Sequence, residues 1–196
     1  MNILDVLRKA ATPSKEVRYP YALFDPTERK EVPGIIKFAK LKSTDVFMDL
    51  GCGDGRLLIE AARQSNCRCI GIDVNGKLVR KAIRNVKNAG LAKKISIRSG
   101  NIFECDISEA TVWYTFLYHW MPHLIPILNK YPKRRIITNS WRFSSQGIEI
   151  EPIRRYEDFY EYRTPLPELF LHTPTNHYNG NMGITRKEIK RMMSDD

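Results

Sequence analysis

No apolar run in this chain of 196 residues approaches the roughly 20 residues of a membrane-spanning helix. A membrane-embedded protein is therefore not expected. Residues 1–11 lack the pattern of a secretory leader, because Asp5, Arg8 and Lys9 interrupt Ile3, Leu4 and Leu7. They read as a short amphipathic helix, and a cytoplasmic location follows. Cysteine is scarce, with four residues at 52, 67, 69 and 105 and no C-x-x-C pair. Cys67 and Cys69 alternate around Arg68 as in a strand, which sends both to one face without the spacing of a zinc knuckle, so reduced thiols and no metal site are expected. Acidic residues are outnumbered, 22 against 32 Lys and Arg, for a net charge of +10. Such an excess invites a nucleic-acid partner. The basic residues are nevertheless dispersed: Arg80, Lys81, Arg84 and Lys87 fall on one helix, Lys93 and Lys94 in a loop, and Lys133 to Arg135 before a strand. That is the distribution of a solvated surface.

What is present is a glycine turn. Val46-Phe47-Met48-Asp49-Leu50 runs into Gly51-Cys52-Gly53-Asp54-Gly55-Arg56, and a second apolar strand ends in Gly71-Ile72-Asp73. A strand, a glycine turn, a helix and an acid about 20 residues further on form a nucleotide-binding βαβ unit. Glycines at 51, 53 and 55 let backbone approach a ligand, and Asp73 is placed to accept hydrogen bonds from two ribose hydroxyls. The third glycine of the dinucleotide fingerprint is missing, since Arg56 stands in its place. Asp49 and Asp54 flank the turn where a phosphate would sit. Acids there suit a ligand with a sulfonium and an ammonium better than a pyrophosphate.

The chain has the length and composition of one globular domain, with 42% hydrophobic and 28% charged residues and no internal repeat. Helical spacing of Val32, Ile35, Ile36 and Ala39 predicts a helix over 26–40 starting near Pro26-Thr27. Strands at 46–50, 68–72, 95–98, 111–117 and 135–139 then alternate with helices at 56–64, 75–88 (capped by Asn75 and stopped by Gly90) and 124–131 (after Pro122 and interrupted by Pro126). This alternation predicts an α/β fold with a parallel sheet covered on both faces. Alternation in Gly147 to Ile153 and aromatics in Arg155 to Arg163 predict an antiparallel pair at one edge. The tail from Thr164 to Asp196 is read as extended, with a basic helix over Thr185 to Met193.

On its glycine turn, Asp49 and Asp73, the sequence resembles the class I S-adenosylmethionine-dependent methyltransferases. The resemblance implies a Rossmann-like seven-stranded sheet, mostly parallel with an antiparallel edge hairpin, and S-adenosylmethionine as cofactor. Residues 1–163 would form the methyltransferase domain, with 1–40 a helical segment over the cofactor site, and 164–196 a C-terminal extension. Gly51 and Gly53 would then approach the methionine part of the cofactor, Asp49 its ammonium and Asp73 the ribose, while Val74 and Asn75 edge the adenine. Asn101 stands where the class usually has an acid for the adenine amino group, and its amide oxygen can still accept. Cys52, Asp54, Gly55, Ile102 and Phe116 complete the expected cofactor set.

The N-P-P-Y or D-P-P-Y element of enzymes acting on base amines is absent. The fourth strand ends instead in Tyr114-Thr115-Phe116-Leu117-Tyr118-His119-Trp120. Tyr118, His119 and Trp120 are candidates for an aromatic lip around an aliphatic amine, since rings stabilise a methylammonium by cation–π contact. Pro26-Thr27-Glu28 through Leu41, the turn with Leu57, Leu58 and Ile59, and Asn101 to Val112 are similar to the small seven-stranded protein-lysine methyltransferases. By that resemblance Thr27 lies over the cofactor and the acceptor is a lysine ε-amine on a protein. Two positions depart from the pattern: Phe24 replaces a Tyr, and Thr138-Asn139 replaces Ser-His. The alternatives are RNA or small-molecule methylation, with Lys187, Lys190 and Arg191 as phosphate contacts, and a non-catalytic cofactor-binding subunit.

Overall fold

The computed structural model describes residues 25–117, 121–140 and 150–167, of which 121–123 by backbone alone. The helix expected at 1–11, Phe24, the aromatic group Tyr118, His119 and Trp120, and the basic helix expected at 185–193 lie outside these residues.

In chain order the elements are α1 (Val32–Ala39), β1 (Val46–Leu50), α2 (Arg56–Ser65), β2 (Arg68–Asp73), α3 (Gly76–Asn88), β3 (Ile95–Ser99), β4 (Val112–Thr115), α4 (Met121–Leu128), β5 (Arg135–Asn139), β6 (Arg154–Tyr156) and β7 (Phe159–Arg163). The seven strands form one sheet in the order β3-β2-β1-β4-β5-β7-β6. The pairings among β1 to β5 are parallel, and β7 runs antiparallel to both β5 and β6. The mostly parallel sheet with an antiparallel edge pair is the architecture the sequence led us to expect. Strand order reverses between β1 and β4, and the crevice above their carboxyl ends is where open α/β sheets bind ligands.

Parallel strands are buried on both faces and therefore read as apolar runs. Phe47, Cys69, Val112 and Tyr114 meet α1 and α2 through Ile35, Phe38, Leu58 and Ala61. Met48, Leu50, Ile70, Ile72, Trp113 and Ile136 pack on the other face against Leu124, Ile125 and Leu128 of α4. Cys52, Cys67 and Cys69 are buried and Cys105 is half-buried, all as free thiols. The Cys67 and Cys69 sulfurs are 3.6 Å apart, too far for a disulfide.

Four boundaries differ from expectation. The helix expected from Pro26-Thr27 begins only at Val32, because Pro33 in its first turn fixes the start and the preceding residues turn instead, with Glu31 N donating to Glu28 O at 3.0 Å. The fourth strand is shorter, Val112–Thr115. Helix α4 starts at Met121 and runs through Pro126. The described edge hairpin spans 154–163, turning at Glu157 with φ 51, so its first strand starts after Ile153; of the segment expected there, residues 147–149 lie outside the described residues.

Charge explains that last shift. Glu161 on β7 is 4% exposed and takes Arg135 from β5 on one oxygen, at 2.7 Å, and Arg154 from β6 on the other. The same two arginines donate to Ala39 O and Phe38 O at the end of α1, where cations complement the helix dipole. Arg154 also stacks 4.1 Å over the Phe38 ring. One buried carboxylate thus fixes the hairpin register and docks α1 on the sheet.

Candidate cofactor and acceptor site

The turn after β1 is left-handed at all three glycines, with φ of 92, 54 and 78 at Gly51, Gly53 and Gly55. Side chains rarely adopt that conformation, and their absence bares the turn's backbone. The amides of Gly51 and Cys52 both donate to Ile72 O, at 2.9 and 3.0 Å, so the turn is sewn to the end of β2. Asp73 completes the seam. One of its carboxylate oxygens accepts from Gly53 N at 2.8 Å and the other from Asn75 N at 2.8 Å. Each oxygen keeps a lone pair free for a hydroxyl. Burial raises the Asp73 carboxyl above its ordinary range, against the pull of those two amides. Asn75 caps α3 as expected, its side chain accepting from the amides of Lys77 and Leu78.

Asp49 is 4% exposed, and among the described residues nothing donates a hydrogen bond to it. Burial, then Asp73 and Asp54, push its carboxyl up to about 8. An isolated buried carboxylate is costly unless a cation meets it. Cys52, behind the same acids, is likewise pushed up, by burial first. A group with a sulfonium, an ammonium and a ribose diol fits these acceptors: two acids face a bare turn, and among the described residues neither is paired with an arginine or lysine.

Asp54 behaves differently. Burial works against its charge, but Arg56 grips both of its oxygens at 2.8 Å and holds it below the usual range. Arg56 then reaches the carbonyl of Thr27 at 3.0 Å, and the Thr27 hydroxyl lies 3.2 Å from that of Tyr114 on β4. Residues 25–31 are thereby tied across the glycine turn and the end of β4. In the sequence Arg56 marks a missing glycine and the start of a helix; its spacing of two from Asp54 is the signal for this pairing.

The remaining expected site residues sit at the strand ends. Val74 is 41% exposed just after β2. Asn101, after β3, accepts from Phe103 N at 3.1 Å and donates to Glu104, which makes its amide a local turn cap as well. Ile102 and Phe103 rest on the α4-side core, and Phe116 on the other. Tyr118, His119 and Trp120, the expected lip, lie outside the described residues. Among the described residues no group of three or more His, Cys, Asp or Glu could hold a metal. No described helix is long and apolar enough to cross a membrane.

A cavity of about 400 Å³ opens elsewhere, among α1, α2 and α3, lined by Arg29, Asp54, Arg56, Arg63, Asn85 and Asn88 with others. Its buried acid is already neutralised by Arg56, so it offers a sulfonium little. The crevice over Asp49 and Asp73 is the better candidate.

Comparison with known proteins agrees. Residues 49–151 match the family model of the ANTKMT methyltransferase domain. A protein-lysine N-methyltransferase of Saccharolobus islandicus is 36% identical over 141 residues, 71% of this chain and 88% of that protein. A crystal structure of an RNA methyltransferase from Salinibacter ruber, in complex with S-adenosyl-L-homocysteine, is 35% identical, superimposes with a TM-score of 0.66, and covers 74% of this chain and 96% of its own. A methyltransferase from Thiobacillus denitrificans with the same ligand, 17% identical over 71% of this chain and 55% of its own with a TM-score of 0.53, shares the fold alone. With more than half of its length in one family model and its fold that of class I enzymes, this chain belongs to the ANTKMT methyltransferase family and is an S-adenosylmethionine-dependent methyltransferase.

Proposed function

We propose that the enzyme methylates lysine ε-amino groups on a protein. The observation that carries this reading is the 36% identity to a protein-lysine N-methyltransferase along 71% of the chain. S-adenosylmethionine, when bound, supplies a methyl group on an already activated sulfonium, so the protein chiefly has to align an amine and exclude water. In this reading Asp73 accepts the ribose hydroxyls and Asp49 the ammonium. Gly51, Cys52, Gly53 and Gly55 bring bare backbone to the methionine part. Val74, Asn75, Asn101 and Ile102 edge the adenine, and Phe116 at the end of β4 lines the cofactor crevice. Thr27 closes over the site, held by Arg56, which Asp54 orients.

RNA is the second reading, favoured by the net charge of +10 and by Lys77, Arg80, Lys81, Arg84 and Lys87 on the exposed side of α3. Incubation with methyl-labelled cofactor and a methyltransferase-poor lysate separates the two. Label removed by protease and mapped to lysine is the expected result; label removed only by nuclease moves the substrate to RNA.

A further inference from the structure

Glu31 holds the cap position of α1, yet its side chain caps nothing. The first turn closes through backbone alone, Ile35 N on Glu31 O at 3.0 Å. The carboxylate turns instead to the sheet, where Asn139 Nδ2 donates to its Oε2 at 3.3 Å. Asn139 is the last residue of β5 and 1% exposed. Glu31 is half-buried, and among the described residues no cation forms a salt bridge with it; Lys30 feels its charge but pairs with Glu28 on the exposed side, so the Glu31 carboxylate keeps acceptor capacity to spare.

Its position relative to the cofactor acids follows from register. Asp49 on β1 is the cross-strand partner of Tyr114 on β4, whose partner on β5 is Ile137. Asn139 lies two residues beyond Ile137, on the same face and nearer the carboxyl ends. Asp49, the Tyr114 hydroxyl and the Asn139–Glu31 pair therefore form a line across the mouth of the sheet. Tyr114 feels the charge of both carboxylates. One end of the line suits the cofactor's ammonium, and the other end carries a second carboxylate that nothing else in the site uses.

We propose that Glu31, held by Asn139, receives the acceptor amine, orienting its nitrogen and stabilising the positive charge that builds there. The proposal rests on the amine-acceptor reading above. The bound ammonium first gives one proton to water. The nitrogen lone pair then forms the new bond to the methyl carbon as the methyl–sulfur bond breaks, with that electron pair remaining on sulfur. Positive charge thus passes from sulfur to nitrogen, toward Glu31, so the carboxylate favours the transition state over the neutral amine.

The test compares Glu31→Gln with Glu28→Gln, an exposed neighbour whose salt-bridge partner among the described residues is Lys30. Acceptor is the protein fraction that the wild type labels, and the readouts are kcat across pH and calorimetric affinity for S-adenosylhomocysteine. For Glu31→Gln the expected result is a kcat lower by about 10- to 100-fold with product affinity unchanged. A carboxylate beside an ammonium raises its pKa, so the midpoint of the kcat–pH rise should also fall by about one unit in that variant. Glu28→Gln should match the wild type in all three. Unchanged kcat and midpoint in Glu31→Gln, or a parallel loss of product affinity, overturns the proposal. Should Glu31→Gln not fold, Asn139→Ala frees the carboxylate without removing its charge, and kcat must fall with the midpoint in place; unchanged kcat overturns the proposal. Protein label in the wild type with an unaffected Glu31→Gln sinks this proposal alone, whereas label confined to RNA sinks it together with the lysine reading.

Discussion

The backbone amide of Gly53 donates to the Asp73 carboxylate at 2.8 Å, joining the turn after β1 to the last residue of β2. Each Asp73 oxygen faces one backbone donor, with Asn75 N on the second. An asparagine can satisfy only one of them and sets its own NH₂ against the other. Asp73→Asn is expected to weaken S-adenosylhomocysteine binding by about 1–3 kcal/mol and to lower the melting temperature, both measurable by calorimetry.

With the cofactor's ammonium on Asp49, as proposed, cofactor binding is expected to release a proton. The Asp49 carboxyl sits near 8 in the free protein, so at neutral pH it is largely protonated, and the ligand's ammonium must draw the proton off. Titration calorimetry at pH 7 in buffers of different ionisation enthalpy should report proton release that disappears in Asp49→Asn. Stability has the matching sign. A carboxyl raised from about 4 when unfolded contributes fully below pH ~4, and that contribution is lost as pH rises toward 8, a slope that Asp49→Asn should flatten in urea titrations.

Glycine substitutions rank by what a new methyl would strike. At Gly71 a Cβ would lie 2.6 Å from Leu58 Cδ1 and 2.7 Å from Cys52 Sγ, both buried. At Gly100 it would meet only Cys105 Sγ, at 2.5 Å, and Cys105 is half-exposed and able to rotate. Gly71→Ala should therefore cost about 1–3 kcal/mol in urea denaturation, and Gly100→Ala clearly less.

Glu161 gives the acid limb of stability. Burial would raise its carboxyl, but Arg135 and Arg154 hold it below the usual range. Its contribution is present above the unfolded value near 4.3 and is lost as pH falls through the lower folded value. Glu161→Gln strands two partly buried arginines and is expected to cost about 3 kcal/mol at neutral pH, with little further effect at acid pH.

Much of this was legible in the residues themselves. Apolar runs fixed by parallel pairing, the Asn75 cap and the glycine turn are local signals, and each appears where the sequence located it. What escaped is non-local. Arg56 binds Thr27, 29 positions away, and Asn139 binds Glu31 across 108, neither of which any periodicity announces. The hairpin register was missed for the same reason: it is set by Glu161 meeting arginines from two other strands, whereas alternation in Gly147 to Ile153 carried no information about partners. The α1 start was misjudged because Pro26 and Pro33 both fit a first turn, and only the sheet contacts of Thr27 decide between them.

The most direct test of the account is a crystal structure of the protein with S-adenosylhomocysteine. The ribose hydroxyls are expected on Asp73 and the ammonium on Asp49, with the glycine turn beneath. Ligand density in the cavity among α1, α2 and α3, or a ligand reaching neither acid, would contradict it.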